Sequence, residues 1–84
     1  MLILQQFDWF GTEKELEDYE ATWKKACEET DGIEFKGRYI PHTRRYHYTF
    51  LFKCDSYDKA NMAGSKVTVP HRSKVPSIVN ELYY

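Results

Sequence analysis

The chain has 84 residues, of which 17% are aromatic and 30% charged, and its formal net charge is -1. That length makes one domain, and a net charge so close to zero excludes a bulk electrostatic pull toward nucleic acid or an anionic membrane. A core this small struggles to hide so many rings, which points to a partner subunit or a ligand.

Met1 to Phe10 reads as a first strand. Leu2, Ile3 and Leu4 are apolar on both faces, as in a strand covered on both sides. Gln5 stands between Ile3 and Phe7 on one of those faces, and Gly11 ends the strand. Thr12 with Glu15 forms a capping-box signature for a first helix. Leu16, Tyr19, Trp23, Ala26 and Cys27 then lie on one stripe of that helix, and Asp31-Gly32 closes it. A second strand runs from Ile33 to Ile40, where Pro41 removes a ladder donor.

The third strand is the strongest pattern in the chain. From Arg44 to Cys54 the residues alternate, with Tyr46, Tyr48, Phe50, Phe52 and Cys54 on one face and His47, Thr49, Leu51 and Lys53 on the other. Asp55 is the expected cap of a second helix carrying Tyr57, Ala60 and Ala63 or Gly64 on its inner side. Ser65 to Pro76 is a proline-bounded loop, with Val67–Val69 as a short extended piece. Ser77 to Tyr84 alternates again and is the fourth strand, with Ile78, Asn80, Leu82 and Tyr84 on one face. The order is β-α-β-β-α-β, a ferredoxin-like α+β domain over residues 1–84 with a four-stranded antiparallel sheet and two helices on one face. The other sheet face, with Leu51 and Thr49, then calls for a second copy, so a homodimer through the sheet is expected.

Charge is divided along the chain. Residues 1–31 hold nine acidic and three basic groups, and residues 32–84 hold four acidic and nine basic groups. The plain reading sets an acidic helix beside a basic hairpin; the sharper one has the basic half attract an anion. Cys27 and Cys54 have neither C-x-x-C nor metal-ligand spacing and read as buried free thiols suited to a reducing, cytoplasmic setting. No signal peptide or membrane span is expected, because Gln5 and Gln6 break the only early apolar run.

The strands Met1–Phe10, Tyr46–Cys54 running into Asp55-Ser56-Tyr57-Asp58-Lys59-Ala60, and Ser77–Tyr84 together resemble the dimeric α/β-barrel superfamily, which includes antibiotic-biosynthesis-type monooxygenases. The resemblance implies two sheets packed face to face, a ligand between sheet and helices, and cofactor-free oxygenase or isomerase-like chemistry. This chain is shorter than is typical there and its Ser65–Pro76 loop is longer.

His47 is the candidate proton-transfer residue because it interrupts a central strand. Trp9, Trp23, Tyr46 and Tyr48 are candidates for an aromatic ligand pocket. Arg44 and Arg45, with Arg38 nearby, are candidates for an anion clamp. No metal or cofactor is expected, since His42, His47 and His71 lack ligand spacing. The functions in competition are a small-molecule-binding homodimer, a non-catalytic regulatory or structural interaction domain, and an RNA-binding domain. The last is disfavoured because the glycines of the RNP1 pattern are missing.

Overall fold

A computed structural model describes residues 1–42 and 45–84. Local sequence sets the first helix. The Thr12 hydroxyl accepts the Glu15 N–H at 3.1 Å and the Glu15 carboxylate accepts the Thr12 N–H at 3.1 Å, which completes the capping box. Helix α1 (Glu13–Glu28) then buries Leu16, Tyr19, Trp23, Ala26 and Cys27, the stripe read from the sequence. Gly32 turns the chain at φ +85° into the next strand.

Around that helix stand β1 (Leu2–Phe7), β2 (Ile33–Tyr39), β3 (Tyr48–Cys54), α2 (Tyr57–Gly64) and β4 (Ile78–Tyr83). The strands form one antiparallel sheet in the order β2-β3-β1-β4. This is the ferredoxin-like βαββαβ fold expected from the sequence. Register fixes which side chains meet the helices. Ile3 lies between Phe52 and Leu82, Gln5 between Phe50 and Asn80, and Phe7 between Tyr48 and Ile78. Phe7, Phe50 and Leu16 are fully buried at the centre of the core. The Phe7 and Phe50 rings meet edge to face at 4.8 Å, a favoured aromatic geometry.

A bulge between Phe35 and Gly37 shifts the register of β2. Gly37 sits at φ +137°, a conformation that costs glycine little. The extra residue sets Arg38 opposite Phe50, on the helix side. There its guanidinium reaches Glu20 at 3.0 Å and Glu13 at 3.4 Å on α1. Lys74 pairs with Glu15 of the same helix. The acidic and basic halves of the chain thus dock on each other, as the plainer reading of the charge division holds.

Several boundaries differ from the sequence reading, and the first strand already ends at Phe7 instead of Phe10. The third strand begins at Tyr48, and Arg45, Tyr46 and His47 form a bend. The ladder with β1 ends at Phe7–Tyr48; beyond it, side chains join the two segments. The Asp8 carboxylate accepts the His47 N–H at 3.1 Å, and His47 Nδ1 accepts the Trp9 N–H at 3.0 Å. His47 is therefore not on the open sheet face with Thr49, Leu51 and Lys53. Ser56, not Asp55, precedes α2, because the Asp55 N–H is held by the Gly32 carbonyl at 2.8 Å. Val67–Val69 forms no strand; the Val67 N–H turns back to the Gly64 carbonyl at 3.1 Å. The connection from 65 to 77 is pinned at both ends. Lys66 Nζ donates to the Glu29 carbonyl at 2.7 Å and to Thr30 Oγ1 at 2.8 Å, and the Phe10 N–H donates to the Lys74 carbonyl at 2.8 Å.

Candidate functional site

The aromatic candidates divide between two places. Trp9, Tyr46, His47 and Tyr48 gather round an open hollow of about 520 Å³ at one end of the sheet, together with Glu13 and Ile40. Trp9 is largely a core residue there. Its ring stacks with Tyr19 at 6.0 Å, and its indole N–H donates to the Thr12 carbonyl at 3.0 Å. Trp23 lies elsewhere, edge to face with Phe52 at 4.8 Å. Trp23 begins about 15 Å along α1 from its first residue, which accounts for the separation.

The charged candidates are mostly engaged. Arg38 is held by two carboxylates and lies over Tyr48 at 5.3 Å. Arg45 is exposed and lies over its neighbour Tyr46 at 5.8 Å. Arg44 lies outside the described residues. His47 leaves Nε2 facing solvent, 3.9 Å from Asp8 Oδ1. Its Nδ1 lies 3.0 Å from the Trp9 N and 3.2 Å from the Trp9 carbonyl oxygen, so either tautomer finds a partner there. A single exposed His–Asp pair 3.9 Å apart can shuttle a proton, although no nucleophile among the described residues is bonded to it.

One buried polar group that lines a cleft was passed over by the sequence reading as a chemical candidate. Gln5 is only 7% exposed on the helix side of β1, and its Oε1 has no hydrogen-bond partner among the described residues. Its Nε2 reaches Asn80 Oδ1 on β4 at 3.4 Å, the long limit of a hydrogen bond. A buried acceptor left unpaired costs about 1–3 kcal/mol. Either way round its amide is placed, one polar atom of Gln5 is left over.

That side chain lines a crevice of about 190 Å³ between the sheet and α2. Ile3, Trp23 and Phe52 form its apolar walls, and Tyr57 and Asn61 of α2 stand at its mouth with Asn80. Among the described residues no charged side chain lines it. The crevice exists because α2 has only eight residues, about 12 Å of helix, and contacts α1, β2 and β3 but neither β1 nor β4. The helix side of β1 and β4 is left partly uncovered. The sequence did hold a signal: Gln5 and Asn80 each interrupt an apolar face, in Ile3-Gln5-Phe7 and Ile78-Asn80-Leu82.

Other polar groups near the core also lack partners among the described residues, Arg38 Nη1 among them. Burial raises the pKa of Tyr19, and Trp23 beside it partly offsets that. Neither the Tyr19 hydroxyl nor Trp23 Nε1 reaches hydrogen-bond geometry with a partner among the described residues. Cys27 and Cys54 are buried and free. Burial, followed by the nearby Cys54, pushes the Cys27 thiol up to about 11, and burial also raises Cys54.

On the opposite sheet face Leu2 is 42% and Tyr83 51% exposed, with Leu4, Leu51 and Val79 between and beside them. Ile40, Pro41, His42 and Arg45 wall one end of this face, over Thr49 and Leu51. Among the described residues, no group of three or more His, Cys, Asp or Glu is placed to hold a metal ion, and no helix is long and apolar enough to cross a membrane. The fold and crevice define the class only as a ferredoxin-like α+β domain with a small, uncharged cleft. No family model, curated protein or solved structure matches the chain.

Proposed function

We propose that the protein is a cytoplasmic, homodimeric binding domain that holds a small ring compound between its sheet and helices. The observation that carries the reading is Gln5, a buried polar side chain with an unpartnered oxygen lining a cleft of mostly apolar and aromatic walls, with the amides of Asn61 and Asn80 at its mouth. Such a cleft with few convergent polar atoms is what a small-molecule site requires. A cavity of roughly 150 Å³ accommodates benzene, so about 190 Å³ suits one substituted six-membered ring. The uncharged lining favours a neutral aromatic ligand over an anionic one. Titration with a panel of small ring compounds, read by NMR shifts at Gln5 and Trp23, tests this. Saturable shifts confined to the crevice are expected, and their absence for every ring removes the reading.

The dimer rests on the other face. Leu2, Leu4, Leu51, Val79 and Tyr83 make an apolar surface rimmed by both signs of charge, with Lys53 and Arg45 against Glu34 and Glu81. A surface with both signs on its rim can pair with its own copy across a two-fold axis. The Cα atoms span 31 × 25 × 17 Å, so the broad dimension can supply the about 800 Å² per partner of a standard interface. This arrangement is the one implied by the resemblance to dimeric α/β-barrel domains. Light scattering of the wild type and of Leu51→Glu is the test: a wild type that is monomeric at micromolar concentration refutes it.

A second reading places proton-transfer chemistry in the sheet-end hollow, with His47 as the acid or base and Trp9, Tyr46 and Tyr48 as walls. The observation favouring it is the solvent-facing Nε2 of His47 beside Asp8. NMR shifts clustered at His47 and Tyr46, in place of Gln5 and Trp23, would select it.

A further inference from the structure

We infer that the crevice recognises a neutral planar ring bearing a cis-amide edge, an N–H beside a C=O, as in pyrimidine bases, lactams and, in open form, aromatic carboxamides. This rests on the proposed reading that the crevice is the ligand site.

Three observations converge on that class. The first is the polar pair. Gln5 and Asn80 are directly opposed across β1 and β4 and point to the same side of the sheet. Their mutual contact at 3.4 Å uses one donor and one acceptor. What remains includes the Gln5 carbonyl oxygen, unpartnered and buried, the amide N–H group of Asn80, and the unpartnered indole N–H of Trp23 as a second donor on the wall. An acceptor next to a donor is the complement of a cis-amide edge, whose N–H would donate to Gln5 and whose C=O would accept from Asn80.

The second is shape. Phe52 and Trp23 stand at 60° to each other with centroids 4.8 Å apart and line the crevice beside Ile3. Aromatic walls favour a flat guest through stacking or edge contacts. The third is charge. With no ionised group lining the crevice among the described residues, an anionic or cationic guest would be desolvated there without compensation. Sites built to hydrogen-bond a specific N–H reject analogues that lack it far more strongly than apolar pockets reject a methylene.

The experiment follows the Gln5 and Asn80 side-chain amide resonances and the Trp23 indole resonance of the intact protein. The probes are uracil, nicotinamide, 1,3-dimethyluracil and orotate. Dimethyluracil keeps the ring and loses every N–H; orotate keeps the edge and adds a carboxylate. Uracil or nicotinamide is expected to shift all three resonances saturably, with dimethyluracil and orotate weaker by about tenfold or more. Gln5→Leu should abolish the preference for uracil over dimethyluracil. Asn80→Ala, at an exposed position, should weaken uracil binding without disturbing the fold. Equal binding of uracil and dimethyluracil at the crevice overturns the cis-amide assignment and leaves the ligand site standing. Equal binding of orotate overturns the assignment to a neutral guest. No shift with any of the four rings overturns both the assignment and the site.

Discussion

Replacing Gln5 with leucine should make the free protein more stable. The native side chain has a buried oxygen without a partner and one long contact to Asn80. Removing the oxygen relieves about 1–3 kcal/mol, and losing the long bond gives back roughly 0.5 kcal/mol. Leucine is nearly the same size and would pack among Ile3, Phe7 and Phe50, which the register places around position 5. A net gain on the order of 1 kcal/mol follows, and for a domain of this size that raises Tm by roughly 4–8 °C. Differential scanning calorimetry of wild type and Gln5→Leu measures it. Protein concentration must be held fixed, because the proposed self-association would make Tm concentration-dependent. A fall in Tm of several degrees would refute the reasoning. Gln5 would then be a satisfied structural residue, with its oxygen bonded to ordered water, and the crevice would lose its claim to be a ligand site.

Lys66→Met removes the ammonium that holds the Glu29 carbonyl and Thr30 Oγ1 at the end of α1, so urea unfolding should report a loss of about 1 kcal/mol. Gly37→Ala forces a Cβ onto a φ of +137°, 3.2 Å from the Tyr39 ring, and should cost about 1 kcal/mol or more by the same measurement. Cys27 has its pKa raised from 9.0 to about 11, so the folded state holds the thiol proton more tightly than the unfolded state. The contribution is fully present below pH 9.0 and is lost as pH rises toward about 11. Native thiols should accordingly react with a disulfide reagent at pH 8 far more slowly than in urea, and equal rates would contradict the buried placement.

The parts of the fold written in local chemistry were legible in the sequence. The Thr12–Glu15 box and the stripe from Leu16 to Cys27 need no distant partner to be recognised, and both are present. The third strand was over-extended for a reason that local pattern cannot contain. Tyr46 and His47 continue the alternation, but the ladder partner stops at Phe7, and the Asp8 carboxylate takes the His47 N–H instead. The cap of α2 was misplaced in the same way, since Asp55 is held by the carbonyl of Gly32, 23 positions away in the chain.

The site was harder to read because its meaning lies in register and in what fails to cover it. Large aromatics draw attention in a sequence, yet Trp9 and Trp23 are mostly core, one stacked on Tyr19 and the other against Phe52. Gln5 and Asn80 are visible only as interruptions of two apolar faces 75 residues apart. Two crossovers must be threaded before they become neighbours on β1 and β4. Even then, opposed amides beneath a long apolar helix would be a defect that leucine repairs. They become a candidate site because α2 stops at Gly64 and the chain leaves by the Lys66 clamp to α1, so the amides face a crevice instead of a packed helix. On this argument the stability that Gln5→Leu would add and the preference for an N–H-bearing ring it would remove have one origin, a hydrogen-bonding edge held open for a guest.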